Sequence, residues 1–344
     1  MKSIPEKGNK QRLLPKHLAK VVALLLILLI VSIGMSLAFG SRTISLEGLI
    51  DGLFHPSVES HEASVVRQRI ARTIFGLICG AALGVSGALM QSVTRNPIAD
   101  PSILGVNTGA SLFVVCGIAF LSIHSPSEYI WLAIVGAMLT AVFVFGIGSM
   151  GASGATPLKL VLAGAATTAI LSSLVTAILI PRTNVMDQFR FWQVGSVGSA
   201  NWDSVHIFIP FFMAGIVIAI LVAPALNALA LGDEVATGLG VRTGVIRMLA
   251  AFAGVLLCGA ATALAGPIGF IGLLATHLIR LVVGPDVRFL IPLAAVSGAI
   301  ILLISDVCGR FLGSPGELEV GILTAFIGAP ILILITMKAK MRTI

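Results

Sequence analysis

The sequence predicts an all-α polytopic membrane protein of one domain, with about ten transmembrane helices, and three observations lead there. Hydrophobic residues make up 57% of the chain and charged residues 11%, whereas soluble domains carry about 25% charged residues. The mean hydropathy is +1.05. A helix needs about 20 apolar residues to cross a bilayer, so ten spans fill roughly 200 of the 344 positions and leave only short connections.

The elements follow in order. Lys2, Lys7, Lys10, Arg12, Lys16 and Lys20 precede an apolar run over residues 18–39. That run exceeds a typical signal-peptide core and reads as a retained first span, with residues 1–17 as a basic cytoplasmic tail. Behind Ser45, a candidate N-cap, Leu46, Leu49, Ile50, Leu53 and Phe54 recur at helical spacing and predict a helix lying on the outer membrane face. Further spans are expected over 70–91, 105–122, 129–150, 157–180, 205–226, 245–265, 267–283, 289–310 and 319–337. The membrane domain is then 18–337, with a cytoplasmic tail at 338–344.

Charge tests this topology independently. With both termini inside, fifteen of the 22 Lys and Arg fall on the cytoplasmic side. The seven outside are Arg42, Arg67, Arg69, Arg72, Arg182, Arg190 and Arg310, a bias that agrees with the positive-inside rule. The net charge of +7 therefore reflects topology, and nucleic acid is not an expected partner; the bilayer is.

Several function classes lose support. No Gly-Lys dipeptide occurs, which excludes a Walker A loop. Gly146-Ile-Gly-Ser-Met-Gly151 matches a dinucleotide pattern but closes an apolar span rather than a βαβ unit. The six histidines and four cysteines show no metal-ligand spacing, so no catalytic or metal site is expected. Asp306 is the main acidic residue inside a span, with Arg310 one helical turn later to pair with it. A proton-driven carrier would display more intramembrane carboxylates, so an ion-coupled secondary transporter is the weaker alternative.

Gly76, Gly80 and Gly84 recur every four residues on the second span and predict close approach of another helix. Trp192 and Trp202, in the loop before the sixth span, read as interfacial anchors. Between two apolar runs, residues 231–242 form a charged interruption in which Leu231, Val235 and Leu239 stand at fourfold spacing. Asp233 and Glu234 fall in its first helical turn, and Gly238 and Gly240 suit its end. The stretch reads as a contact surface for another protein, the alternative being an ordinary solvated loop.

Three constellations carry a resemblance. The first is Arg69-Ile-Ala-Arg72, Gly87-Ala-Leu-Met-Gln91 and Asn96-Pro-Ile-Ala-Asp-Pro101-Ser-Ile-Leu-Gly105. The second is Gly266-Pro-Ile-Gly-Phe-Ile-Gly-Leu273 with His277-Leu-Ile-Arg280, and the third joins residues 231–242 to Glu317-Leu-Glu-Val-Gly321 and Gly328-Ala-Pro330. From about Arg67 to the C-terminus the chain resembles the FecCD-type permeases, membrane subunits of ABC importers for iron-siderophores, haem and cobalamin.

The resemblance implies a type II ABC importer permease architecture, a second permease subunit, an extracytoplasmic substrate-binding protein and a separate ABC ATPase that uses the ATP. It implies no cofactor bound directly by this chain. The loop at about 227–244 would engage the ATPase through Leu231, Asp233, Glu234, Val235, Leu239 and Gly240. Arg69, Arg72 and Arg310 would dock carboxylates of the binding protein, the alternatives being interfacial anchoring for the first two and pairing with Asp306 for the third. Asn96, Pro97 and Ile98 match a turn that narrows the pathway, or form a purely structural turn. The implied cargo is a ferric siderophore, with haem or cobalamin as the alternative. Three prolines usual in the family are Ala71, Thr276 and Glu319 here.

Overall fold

The structure, a computed structural model, describes residues 15–40, 44–55, 60–121, 123, 126–150 and 157–340. Most of the basic N-terminal tail, Arg42, His124, Gly151 and residues 341–344 lie outside the described residues. Thirteen α-helices and one 3-10 turn follow in chain order among those described. They are α1 (Pro15–Ala38), α2 (Leu46–Phe54), α3 (His61–Thr94), the 3-10 turn Pro101–Leu104, α4 (Val106–Phe120), α5 (Pro126–Gly148) and α6 (Pro157–Leu179). Then come α7 (Thr183–Gln193), α8 (Trp202–Ala230), α9 (Asp233–Gly238), α10 (Thr243–Ala265), α11 (Ile271–Val283), α12 (Val287–Leu312) and α13 (Val320–Lys340).

Seven of these helices are long and apolar enough to cross a membrane, and α4, α11 and residues 320–334 of α13 are shorter apolar helices. All ten coincide with the expected spans. Large apolar side chains remain exposed on α1, α5 and α6, among them Ile27, Ile30, Val142, Leu162 and Ile170, as lipid-facing or subunit-facing helices require.

The centre of the bundle is α3. Ser60 caps it by accepting from the Ala63 N–H, and Glu62 sits in the first turn, where the helix dipole favours an acid. These signals start the helix at His61, nine residues before the expected span. Its buried residues are dominated by small side chains, and α12 crosses it at the expected glycine row. A Cβ on Gly80 would lie 2.5 Å from the Gly298 carbonyl oxygen and 2.8 Å from the Ala299 Cα. The two backbones therefore touch, which substitutes packing for the hydrophobic drive that lipid does not supply.

Two expectations need correction. Residues 180–205 are not simply a loop, because α7 lies within them. Its Trp192 is buried and donates Nε1–H to the Ala263 carbonyl at 3.3 Å, so it is a packing residue rather than an interfacial anchor; Trp202, at the start of α8, is exposed. The span expected at 267–283 becomes helical only at Ile271. Pro267 lacks an N–H, and Gly266 and Phe270 both have positive φ, so the segment between them leaves the helical path. Irregular backbone at this depth is tolerated because it is covered by protein: Ser196 N–H donates to the Ala265 carbonyl at 2.7 Å.

Candidate functional site

Parts of the three sequence constellations meet around α11. The α3 and α11 backbones touch at Gly87 and Gly272, where an added Cβ would fall 2.6 Å from the facing Cα. One turn further on, Arg280 Nη2 donates to Gln91 Oε1 at 3.2 Å, joining two motifs 189 residues apart. From the third constellation, Gly321 N–H donates to the Gly195 carbonyl at 3.0 Å, and Gly328 packs on Phe270, leaving no room for a side chain.

Two charged networks occupy opposite ends of α3. At the end where α2 lies, Arg72 holds Asp306 bidentately, with Nη2 to Oδ1 at 2.6 Å and Nε to Oδ2 at 3.2 Å, and its Nη1 donates to Glu317 Oε2 at 2.8 Å. Arg310 Nη2 pairs with Asp306 Oδ2 at 3.0 Å. It also donates to the Ser36 and Phe39 carbonyls, each at 3.0 Å, and to Ser36 Oγ at 3.1 Å. Arg69 donates to the Leu37 and Ala38 carbonyls at 3.1 and 3.0 Å. The last turn of α1 leaves carbonyls without intrahelical donors, and two arginines supply them where the dipole favours cations.

The three outer arginines expected from sequence thus stand together, but their hydrogen bonds run within the chain. Arg310 is 2% exposed and Arg69 is also buried. Beside them lies a cavity of about 570 Å³, lined by Gln68, Arg69, Arg72, Asn201, Arg310 and Glu317 among others. Sequence reasoning paired Arg310 with Asp306 but missed Arg72 and Glu317 as further members. No local signal could reveal a partner 234 residues away.

At the opposite end, the expected contact stretch forms α9 (Asp233–Gly238) with Ala236 turned inward. Leu231 is 67% exposed, Val235 49% and Leu239 64%. They do not form the stripe on one helix that the fourfold spacing implied: Leu231 ends α8, Gly232 at φ +117° breaks the helical path, Val235 lies within α9 and Leu239 follows its last residue. Glu234 is exposed beside Val235. The helix ends at Gly238, and Gly240 at φ +82° lets the chain turn away at low cost.

Asp233 behaves differently from Glu234. Its Oδ1 accepts from Arg95 Nη2 and, at 2.8 Å, from Arg247 Nη2. Arg95 is the residue that ends α3, at φ +50°, and the same nitrogen also reaches the Leu229 carbonyl at the end of α8. Directly after it, Asn96 Oδ1 accepts from the Ile98 N–H at 3.0 Å and the Asn96 carbonyl from the Ala99 N–H at 3.1 Å. Asn96, Pro97 and Ile98 therefore form a closed turn, with Pro97 and Ile98 exposed. Sequence reasoning missed Arg95 and Arg247 as partners of this stretch; an arginine directly before Asn-Pro at a helix end was the available signal.

Nearby, Asn227 Nδ2 donates to Asp286 Oδ1 at 2.6 Å, and the Val287 N–H returns a bond to Asn227 Oδ1 at 2.8 Å. Partial burial pushes the Asp286 carboxyl up, but bonds from Asn227 and the Arg288 N–H and the Arg288 charge outweigh it and hold the group below the usual carboxylate range. Among the described residues no group of three or more His, Cys, Asp and Glu side chains converges as a metal site would.

Comparison with known proteins agrees with this fold. Residues 26–338 match the FecCD transport family. The chain is 40% identical over 316 residues to the ferric enterobactin transport system permease protein FepD of Escherichia coli, covering 91% of this chain and 94% of that protein. It is 39% identical to the Fe(3+)-citrate import system permease protein YfmD of Bacillus subtilis, over 92% of this chain and 93% of that one. With the hemin transport system permease protein HmuU of Yersinia pestis it shares 34% identity over 79% of this chain and 82% of the relative. A solved inward-facing structure of a metal-chelate type ABC transporter superposes with a TM-score of 0.81 at 28% identity, covering 93% of this chain and 99% of that one.

Proposed function

The chain belongs to the FecCD transport family, and on that premise we propose that it is the multi-pass permease subunit of an ATP-binding-cassette importer for an iron chelate, with a ferric siderophore as cargo. The observation that carries the coupling part of this reading is the group of exposed apolar residues Leu231, Val235 and Leu239 on and beside α9, between two spans. A separate ATPase covers it and uses the ATP, since the chain holds no Walker A loop. The α9 end faces the cytoplasm, as do both termini, in keeping with the charge bias. A second permease, identical or paralogous, completes the pathway, and the chain binds no cofactor of its own.

At the α2 end an extracytoplasmic binding protein docks. Arg69, Arg72 and Arg310 are its proposed contacts, and Arg72 is the one a carboxylate reaches first, because its partner Glu317 is 36% exposed whereas the other two are committed to α1. Arginine suits this role because its planar fork holds a carboxylate bidentately and never loses its charge.

The test is ATP-dependent uptake in a deletion strain using iron-55 complexes of enterobactin, citrate and a hydroxamate together with haem. Val235→Glu with Leu239→Glu is expected to abolish uptake and co-purification of the ATPase while membrane insertion is retained. Normal uptake by that variant sinks the coupling role. Uptake of haem alone replaces the siderophore with haem as cargo.

A further inference from the structure

Most residues that end a helix at positive φ are glycines, because a Cβ is strained there. Arg95 takes that place at φ +50° and is one of two non-glycine residues with positive φ among those described. A glycine would relieve the strain but could not reach across to α9. The Arg95 side chain does so: one guanidinium nitrogen contacts both the Asp233 carboxylate and the Leu229 carbonyl. Asp233 in turn holds Arg247 on α10 at 2.8 Å. It is the first residue of α9, and the turn closed by Asn96 begins one residue after Arg95.

We propose that Asp233 is the mechanical link between α9 and the turn Asn96–Ala99: a displacement of α9 pulls on the Arg95 guanidinium and so moves the end of α3 and the turn behind it. The inference rests on the proposed function, which makes α9 the surface that the ATPase moves. Asp233 and Arg95 are positioning residues in this scheme, since neither needs to touch cargo or nucleotide. The carboxylate suits the link because it accepts from two cations at once and its bonds to them are directional. The chain passes directly from α8 through Leu231 and Gly232 to Asp233, so α9 can tilt while the pair carries the motion sideways to α3.

The experiment uses the assembled transporter, permease with its ATPase, in lipid nanodiscs. Nitroxide labels at Glu234→Cys and, separately, at Ile98→Cys are each measured against a label at Leu281→Cys, with and without ATP and vanadate. In the otherwise unsubstituted protein both distances are expected to shift with nucleotide. In Asp233→Asn, and in Arg95→Gly, which also removes the backbone strain, the Glu234 distance still shifts and the Ile98 distance does not. Transport per ATP hydrolysed falls about ten-fold or more, the equivalent of one lost charged hydrogen bond. Arg95→Lys restores part of that ratio.

A merely structural role for the pair would lower the amount of assembled complex and leave the ratio and both shifts intact, and that result overturns the link. If the Glu234 distance never responds to nucleotide in the unsubstituted protein, the coupling role of α9 falls and the link with it. If Val235→Glu with Leu239→Glu uncouples the transporter but the Asp233 and Arg95 variants do not, only the link is lost.

Discussion

Asp306→Asn is expected to destabilise the chain by about 3 kcal/mol, whereas Glu317→Gln costs less than about 1 kcal/mol, although both carboxylates bind the same arginine. Asp306 is 3% exposed and its two oxygens serve both Arg72 and Arg310. The substitution keeps one acceptor, removes the charge and turns an N–H₂ group toward a guanidinium. Breaking a buried ion pair from one side costs about 3–5 kcal/mol. The lower end applies because Arg72 keeps Glu317 and Arg310 keeps the Ser36 and Phe39 carbonyls. Glu317 makes one bond to Arg72 from a partly solvated position, where ion pairs contribute about 0.2–1 kcal/mol. Denaturant unfolding of both variants in mixed micelles, followed by tryptophan fluorescence, measures the difference. Equal losses, or a loss below about 1 kcal/mol for Asp306→Asn, would show that the network does not hold α1, α3 and α12 together.

Two further outcomes are expected. Gly298→Ala places a Cβ against the Gly80 carbonyl oxygen, so α12 must back away from α3 at a cost of about 1–3 kcal/mol, while Gly34→Ala on α1, with open space around it, raises stability by about 0.5–1 kcal/mol; the same unfolding assay reads both. Asp286 has a folded pKa below its unfolded value, so its contribution is complete above the ordinary carboxylate pKa of about 3.9 and is lost as pH falls through the folded value. Stability measured from pH 7 to pH 3 should therefore fall less steeply at the acid end in Asp286→Asn than in the unsubstituted chain.

The legible part of the fold was the part written within a single helix. Apolar runs placed ten apolar helices, seven of them long enough to cross a membrane, the four-residue spacing of Gly76, Gly80 and Gly84 gave the α3 face that meets α12, and Ser45 marked the start of α2, where its side chain accepts from the Gly48 N–H. Leu231, Val235 and Leu239 are exposed, but the break at Gly232 that puts Leu231 at the end of α8 rather than on α9 was not read from their spacing. What stayed hidden needed two distant segments at once. Trp192 looks the same in sequence whether it anchors at an interface or donates to a carbonyl 71 residues later. The late start of α11 was signalled in part by Gly266-Pro267, but the positive φ at Phe270 that fixes it at Ile271 belongs to a residue type that gives no warning of it. Asp233 read as a first-turn acid favoured by the dipole, yet its partners are arginines on two other helices.

The two charged networks differ in a way that assigns them different duties. At the α2 end Asp306 and Arg310 are almost fully withdrawn from solvent and Arg72 mostly so, and losing the Asp306 charge costs about 3 kcal/mol even with the remaining bonds in place. At the α9 end Arg95 and Asp233 are both partly solvated, and water can take over a bond as it stretches. A bundle that must open at one end while staying assembled needs its costly bonds at the pivot and its solvated ones where parts shift. With the coupling role proposed for α9, the costly bonds then lie away from the end that the ATPase moves. Substitutions in the first network should then reduce how much folded protein is recovered, and those in the second should reduce what each folded molecule transports.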